Sequence, residues 1–109
     1  MKYLITGANG FLGGRLSNFL ENKGFEIIRG SRDIKIVESS NYTNWVLTEF
    51  NNCESLKDIC NGVDFIIHAA GPNAEDCQNN PLSSYDYYNL ETKNFVKAAK
   101  ASKIRKFIF

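Results

Sequence analysis

The 109-residue sequence predicts one α/β domain, in which a parallel β-sheet carries helices on both faces. Three observations predict it. Short apolar runs alternate with helical patterns along the whole chain, a glycine-rich turn separates the first run from the first helix, and the run 63–69 is largely apolar. A run of that kind is typical of a strand that is buried on both faces. The expected strand order is 3-2-1-4-5, with a ligand crevice at the switch point beyond strands 1 and 4.

The expected elements follow from apolar periodicity and from stop signals such as Asn22-Lys23-Gly24. Strands are predicted over five segments: 2–6, 25–29, 45–48, 63–69 and 106–109. Helices are predicted over 11–22, 54–60 and 84–102, a loop over 71–82, and an irregular stretch over 33–44. The first helix is expected to bury one apolar face, made of Leu12, Leu16, Phe19 and Leu20. The last helix is expected to have an apolar face made of Tyr85, Tyr88, Phe95, Val96 and Ala99.

The glycine-rich turn has the layout with which a loop binds the pyrophosphate of a dinucleotide. The candidate cofactor-binding residues of this turn are Gly7, Asn9, Gly10, Phe11, Leu12 and Gly13. Gly7 allows a sharp turn, Gly10 lets the backbone approach the phosphates, and Gly13 lets the helix pack closely on the strand. The N–H groups of Phe11 and Leu12 are candidate phosphate donors, and their side chains are expected to pack inward. An ordinary glycine-rich turn is the alternative.

Composition and charge exclude several other classes of protein. The formal net charge is +1, and the basic residues at 100–106 are best explained as a solvated helix end, so no nucleic-acid partner is expected. No apolar run approaches the length of a membrane span and no secretory leader is visible, so a cytoplasmic protein is expected. Cys53, Cys60 and Cys77 lack the spacing of a metal or disulfide site. Cys53 and Cys60 are expected in the core, and no metal is expected.

Four separated segments carry a resemblance to one known family. They are the turn Thr6-Gly7-Ala8-Asn9-Gly10-Phe11-Leu12-Gly13, the pair Glu49-Phe50 with its neighbours at 54–56 and 62–64, the strand end Ile66-Ile67-His68-Ala69-Ala70, and the spaced residues Pro81, Tyr85, Asn89, Thr92 and Asn94. In this order the segments resemble the extended short-chain dehydrogenase/reductases, the family typified by nucleotide-sugar epimerases and dehydratases. The resemblance covers the whole chain and implies a Rossmann-like domain that binds NAD or NADP.

The resemblance also implies roles outside the glycine turn. Glu49 and Phe50 resemble the acidic residue and its neighbour that hold the adenine, with Glu49 in place of the usual Asp. Ala69 and Ala70 are small, so the ribose and nicotinamide side of the cofactor can lie against the strand end. Asn89 is similar to an asparagine that helps shape the family's active site, and a polar residue that caps or bridges within the helix is an equal alternative.

Two charged or titratable residues near the predicted crevice are interpreted from their own chemistry. A guanidinium at Arg32, at or just past the end of the second strand, can bind the 2′-phosphate of NADP and therefore favours NADP. Asp33 would take the NAD role if that strand ran one residue longer, and a solvated surface arginine is the remaining alternative. His68, the only histidine, is expected to be a structural residue at the crevice floor. Glu91 replaces the glycine that the family usually has before the threonine.

By this resemblance, the complete enzyme would transfer a hydride to or from a sugar nucleotide or a related carbonyl or alcohol substrate, as an epimerase, dehydratase or reductase. The family's catalytic Tyr-x-x-x-Lys pair follows the fifth strand, and no tyrosine in this sequence has a lysine four residues later. We therefore expect these residues to bind cofactor without turnover, as a domain incomplete at its C-terminal end. A non-catalytic binding module or redox sensor, or a truncated product without function, are the alternatives. A homodimer stays open, because in this family the long helix commonly builds part of that contact.

Overall fold

A computed structural model describes residues 1–41, 43–71 and 74–109, and it leaves the side chains of 74–76 and 87–88 undescribed. Its sheet contains the strands β1 (Lys2–Thr6), β2 (Glu26–Ser31), β3 (Trp45–Leu47), β4 (Phe65–His68) and β5 (Lys106–Ile108). All neighbours pair in parallel, in the order β3-β2-β1-β4-β5, so the predicted sheet is confirmed. β2 and β3 lie on one side of β1, and β4 and β5 lie on the other. The switch point is therefore at the carboxyl ends of β1 and β4.

The connections between the strands are helical. In the described part of the chain the helices are α1 (Phe11–Asn22), α2 (Ile34–Ser39), α3 (Cys53–Cys60), α4 (Ala74–Asn79), α5 (Pro81–Asp86) and α6 (Thr92–Ala101), with a π-helical turn (Tyr87–Glu91) between α5 and α6. Side-chain caps explain two of the starts. The carboxylate of Asp33 accepts the N–H of Lys35 at 3.0 Å, and the side chain of Asn52 accepts that of Ser55 at 3.1 Å. No helix in the described ranges has the length and apolar character of a membrane span.

The main core lies between the sheet and the helices α3 and α6. Leu4, Ile66, Leu56 and Phe95 meet there, and each is 0% exposed. Successive strand residues point to opposite faces of a sheet. Ile5 is therefore buried from the other side, where α1 packs on β1 and β2. With helices held on both faces, the carboxyl edge of the sheet is the open place where a ligand can reach the strand ends.

The buried face of α1 differs from the predicted one. Leu12 and Phe19 are 65% and 57% exposed, so their predicted burial is wrong, whereas Gly13 and Ser17 are buried. A Cβ at Gly13 would overlap the carbonyl of Gly7, with 2.7 Å to its carbon. The Ser17 hydroxyl donates to the Gly13 carbonyl at 2.7 Å, which satisfies it inside the contact. The helix approaches β1 through small residues, and apolar periodicity does not register such a contact.

Several predicted boundaries and one core assignment also differ. β2 ends two residues later than expected, and α2 lies within the stretch expected to be irregular. β3, β4 and β5 are each shorter than predicted. Cys60 is buried as predicted, but Cys53 is exposed. The buried residues of α3 are Leu56 and Cys60, so its packing contact begins one turn after Cys53.

The region 71–102 departs most from the prediction. Helix α4 and the start of α5 occupy the expected loop, and the π-helical turn interrupts the expected long helix. A π-turn adds one residue to a helical turn and so shifts the phase of the side chains that follow. Phe95 and Ala99 are buried as expected, whereas Tyr85 is exposed. The side chain of Tyr88 lies outside the described residues.

Candidate functional site

A cleft of about 1110 Å³ opens at the carboxyl edge of the sheet, at the predicted switch point. The strand ends and the glycine turn supply Gly7, Asn9, Gly10, Arg32, Asp33, Asn51, Ala69, Ala70 and Gly71. The opposite side is formed by Asn80, Ser83, Ser84, Asp86, Leu90, Glu91 and Asn94, which we call the helical wall. Six of the predicted cofactor residues therefore line the cleft: Gly7, Asn9, Gly10, Arg32, Ala69 and Ala70.

The turn over residues 7–13, which we call the cradle, is built from backbone. Gly7 has φ +66°, a conformation that side-chain-bearing residues rarely adopt. A Cβ at Gly7 would also lie 2.7 Å from the backbone nitrogen of Ala70. The N–H of Gly10 donates to the carbonyl of Gly7 at 2.9 Å, which closes the turn. Gly7 thus brings the turn against the end of β4, with no side chain between them.

The last residues of the cradle form the N-terminus of α1. No side chain caps it, its first turn contains no acidic residue, and the N–H of Gly14 donates to the Gly10 carbonyl at 3.0 Å. By helix geometry the N–H groups of residues 11–13 have no partner within the helix, at the positive end of its dipole. The Phe11 and Leu12 side chains are both exposed and do not line the cleft, so the prediction that they pack inward is wrong. The Phe11 ring instead contacts Arg15, at 4.2 Å from centroid to guanidinium carbon.

A buried polar group supports the cleft floor from below. The Thr6 hydroxyl lies 2.7 Å from Nδ1 of His68 and accepts the N–H of Ala70 at 3.3 Å. The His68 ring centroid lies 5.1 Å from that of Phe95 and 5.3 Å from that of Phe50. Burial among these groups lowers the pKa of His68 to about 4, so the imidazole is neutral at pH 7. His68 lies beneath the floor and not in its lining, which differs from its expected place.

The end of β2 contributes a pair of opposite charges to the cleft. Arg32 is the first residue after the strand, and its side chain is exposed. The adjacent Asp33 uses one carboxylate oxygen to cap α2 at the N–H of Lys35. Its own N–H donates to the buried Ser31 hydroxyl at 3.0 Å. One carboxylate oxygen of Asp33 is therefore used at the start of α2, whereas Arg32 directly follows the end of β2.

The segment 49–52, which we call the base segment, follows β3. Glu49 is exposed and does not line the cleft, and its carboxylate accepts the side-chain amide of Asn52 at 3.4 Å. Phe50 has its ring in the core, at 2% exposure. Asn51, which the sequence interpretation missed, lines the cleft between them. Asn94 donates through Nδ2 to the Phe50 carbonyl at 3.1 Å. Neither residue of the predicted adenine pair lines the cleft, and the base segment reaches it through Asn51.

The helical wall was not predicted from the sequence. Leu90 and Glu91 belong to the π-helical turn and line the cleft, whereas Asn89, the predicted supporting residue, is exposed and does not. Glu91 and Asp86 give this wall an acidic character. Among the described residues, no group of three or more His, Cys, Asp or Glu side chains is placed to hold a metal ion.

The glycine turn and the start of α1 together offer a place for a phosphate group. Because Gly7 and Gly13 carry no Cβ, the cradle packs directly on the end of β4 and on the start of α1, and the uncapped N–H groups of α1 can donate to a phosphate there. The family model described as the NAD dependent epimerase/dehydratase family matches residues 3–109. The chain belongs to this family. The predicted family and its Rossmann-like fold are thereby confirmed.

Individual members of the family match with low identity. The UDP-glucose 4-epimerase of Rickettsia bellii (strain RML369-C) is 28% identical over 96% of this chain and 34% of its own. Cinnamoyl-CoA reductase 1 of Petunia hybrida is 25% identical over 96% of this chain and 33% of its own. A crystal structure of the UDP-glucose 4-epimerase of Thermus thermophilus in complex with NAD superposes with a TM-score of 0.83 at 17% identity, over 100% of this chain and 37% of that one. This chain spans about a third of the length of the curated relatives.

Proposed function

We propose that the cleft binds NAD or NADP, and that these residues form the cofactor-binding part of an epimerase, dehydratase or reductase. The substrate of the complete enzyme would be a sugar nucleotide or a related carbonyl or alcohol compound. One observation carries the proposal: the glycine cradle meets the uncapped N-terminus of α1 directly above the small strand end of β4. Family membership and the UDP-glucose 4-epimerases among the relatives support it.

The parts of the cleft divide the cofactor between them. Backbone N–H groups of the cradle, including those of Phe11 and Leu12, would bind the pyrophosphate. Ala69 and Ala70 would accommodate the ribose and nicotinamide side, and the base segment would hold the adenine. Once bound, the nicotinamide would accept or donate the hydride. His68 takes no acid or base role in this proposal, because its ring is neutral and held beneath the floor.

We assign NADP as the preferred form. Arg32 lies in the cleft at the end of β2, where a guanidinium can bind a 2′-phosphate through two hydrogen bonds. Although β2 is longer than expected, it ends at Ser31, so Arg32 and not Asp33 directly follows the strand, and Asp33 uses one carboxylate oxygen to cap α2. This assignment is independent of the broader proposal, since either cofactor would use the same cradle.

Catalysis by these residues alone is not expected. In the family as the resemblance describes it, a Tyr-x-x-x-Lys pair takes the substrate proton, and the sequence has no tyrosine with a lysine at that spacing. We therefore propose binding without turnover for the 109 residues. Hydride transfer by the purified chain to or from a UDP-sugar would contradict this.

Calorimetric titration of NAD and NADP into matched glycine variants tests the binding proposal. Gly7→Ala and Gly62→Ala both place alanine at a positive φ, +66° and +77°, but a Cβ at Gly62 meets nothing within 4 Å. We expect Gly7→Ala to weaken binding about tenfold or more, because the new methyl meets the backbone of Ala69 and Ala70 and displaces the N–H groups that would bind the phosphate. Gly62→Ala should bind like wild type. Equal effects in the two variants, or no binding by wild type, would overturn the proposal.

The same titrations test the choice of cofactor. Arg32→Gln removes the guanidinium and its charge and keeps a shorter, polar side chain. We expect it to weaken NADP binding about tenfold and to leave NAD binding nearly unchanged, because only NADP carries the 2′-phosphate. Tighter binding of NAD than NADP by the wild-type chain would show the assignment of Arg32 to be wrong.

A further inference from the structure

Asn94 connects the helical wall to the opposite side of the cleft. Its Nδ2 donates to the Phe50 carbonyl at 3.1 Å, across 44 residues of sequence, and the bond is partly buried. Asn94 belongs to α6 and also lines the cleft. The cofactor-binding proposal gives this side chain no task. Its contact nevertheless reaches the segment on which the base of the cofactor would rest.

Further contacts hold the base segment. The Phe50 ring is buried at 2% exposure, with its centroid 5.5 Å from that of Phe95 and 5.3 Å from that of His68. At the end of the segment, Asn52 caps α3 through the N–H of Ser55. The ring and the cap fix the two ends. The N–H of Asn52 also donates to the Glu49 carbonyl at 3.0 Å, which closes a turn whose central peptide unit, between Phe50 and Asn51, can take either of two orientations.

Asn94 holds the carbonyl end of that peptide unit. A trans peptide is planar, so its carbonyl and its N–H point in opposite directions. By holding the carbonyl of Phe50, Asn94 therefore also fixes the direction of the Asn51 N–H. Asn51 lines the cleft, so the orientation of this one peptide decides which backbone groups face a base there.

We propose that Asn94 is a positioning residue for base recognition: its side chain sets the backbone of the base segment in the orientation that distinguishes adenine from other purines. This assignment rests on the proposed binding of NAD or NADP. Asn94 does not have to touch the cofactor, because it acts through the Phe50–Asn51 peptide. The alternative is a purely structural bond, which would stabilise the domain without affecting the choice of base.

The test compares NAD with nicotinamide hypoxanthine dinucleotide, which replaces the adenine amino group by a carbonyl oxygen. The ratio of the two dissociation constants reports base recognition and cancels effects that act on the shared pyrophosphate. Asn94→Leu and Asn94→Asp both remove the donor and keep the size, but only the second adds a charge. We expect the adenine preference to fall about fivefold in both variants. Asn61→Asp, which adds the same charge at an exposed position outside the cleft, should keep the wild-type ratio.

Each result decides the assignment. A fall in the ratio for both Asn94 variants, but not for Asn61→Asp, supports it. An unchanged ratio overturns it even if both ligands bind more weakly, and so does a wild-type chain with no preference for adenine. A wild-type chain that binds neither dinucleotide overturns the proposed function, and this assignment with it. Should neither variant fold, Asn94→Ala decides: it removes the donor without adding bulk or charge, so an unchanged ratio there would equally overturn the assignment.

Discussion

The cradle and the helical wall face each other across the cleft, but they present different atoms to a ligand. The cradle offers backbone, and its closest approach occurs where Gly7 and Gly13 have no room for a Cβ. The helical wall offers the side chains of Ser84, Glu91 and Asn94, carried on α5, the π-helical turn and α6. Backbone geometry depends on where glycines stand, whereas side-chain geometry depends on the phase of a helix. The first kind of site tolerates little change, and the second can rotate or retract.

This difference predicts how each side responds to substitution. A methyl group added to the cradle meets backbone atoms, which cannot move without moving β1 or β4. On the helical wall, Ser84 is buried and Asn94 donates to a backbone carbonyl, but the remaining side chains are at least partly exposed. Variants of the cradle should therefore change both stability and binding, and variants of these remaining wall residues should change binding alone and by less.

The largest effect is expected at Gly13. Gly13→Ala should lower the free energy of unfolding by about 3 kcal/mol or more, because its Cβ would overlap the Gly7 carbonyl. Gly14→Ala, the next residue of the same helix, would place its Cβ 3.1 Å from the Ala8 carbonyl oxygen, a contact that a small shift relieves. Gly14→Ala should therefore change stability by less than about 1 kcal/mol. Urea unfolding followed by circular dichroism measures both, and similar losses would contradict a backbone-built cradle.

A second, smaller effect is expected where the floor rests on His68. Burial holds the pKa of its imidazole at about 4 in the folded chain, against an ordinary value of 6.5 for a solvated histidine. Between pH 6.5 and pH 4 the imidazole is protonated in the unfolded chain but stays neutral in the folded chain. The free energy of unfolding therefore decreases as the pH falls through this range. We expect a loss of about 2 kcal/mol between about pH 7 and pH 5 from this group alone.

His68→Asn provides the control for that pH dependence. Asparagine does not titrate, and its side-chain oxygen can still accept the Thr6 hydroxyl that lies beside the imidazole. Carboxylates contribute to acid unfolding in both proteins, so the difference between the two pH profiles isolates the histidine. Parallel profiles over the same pH range would show that His68 is not buried as a neutral ring.

The same contrast explains which features the sequence could predict. The turn that forms the cradle was predicted because the spacing of Gly7, Gly10 and Gly13 in the sequence marks positions where a Cβ would clash. The strand order followed from apolar runs that need no knowledge of side-chain contacts. The close packing at Gly13 was predicted, whereas the burial of Ser17 was missed because a serine is not apolar enough to mark the buried face of a helix.

The helical wall was missed for another reason. A regular helix over 84–102 assigns every side chain a direction, and one π-helical turn changes all the directions that follow or precede it. Asn89 was consequently chosen from its similarity to a family residue, whereas Leu90 and Glu91 are the residues of that turn that line the cleft. Nothing in the residue types at 87–91 distinguishes a π-turn from an α-turn, so tertiary packing decides it.

The smallest effect is expected at Glu91, on the helical wall. Its carboxylate shares the cleft with Asp33 and Asp86, against the guanidinium of Arg32, and a dinucleotide brings further negative charge. Glu91→Gln keeps the shape of the side chain and removes its charge. The affinity for NAD should therefore rise by about 0.5 kcal/mol, a little more than twofold, with unchanged stability. Because the effect is electrostatic and near solvent, it should shrink as salt is added.

Glu38→Gln is the matched control for Glu91, because Glu38 is an exposed glutamate of α2 outside the cleft. Calorimetric titrations at low and high salt compare the two variants with wild type. A loss of affinity in Glu91→Gln would reverse the interpretation, since it would mean that the carboxylate accepts a hydrogen bond from the cofactor. In that case the helical wall would bind the cofactor as directly as the cradle does. The two sides would then differ in the atoms that they present, side chain against backbone, and not in function.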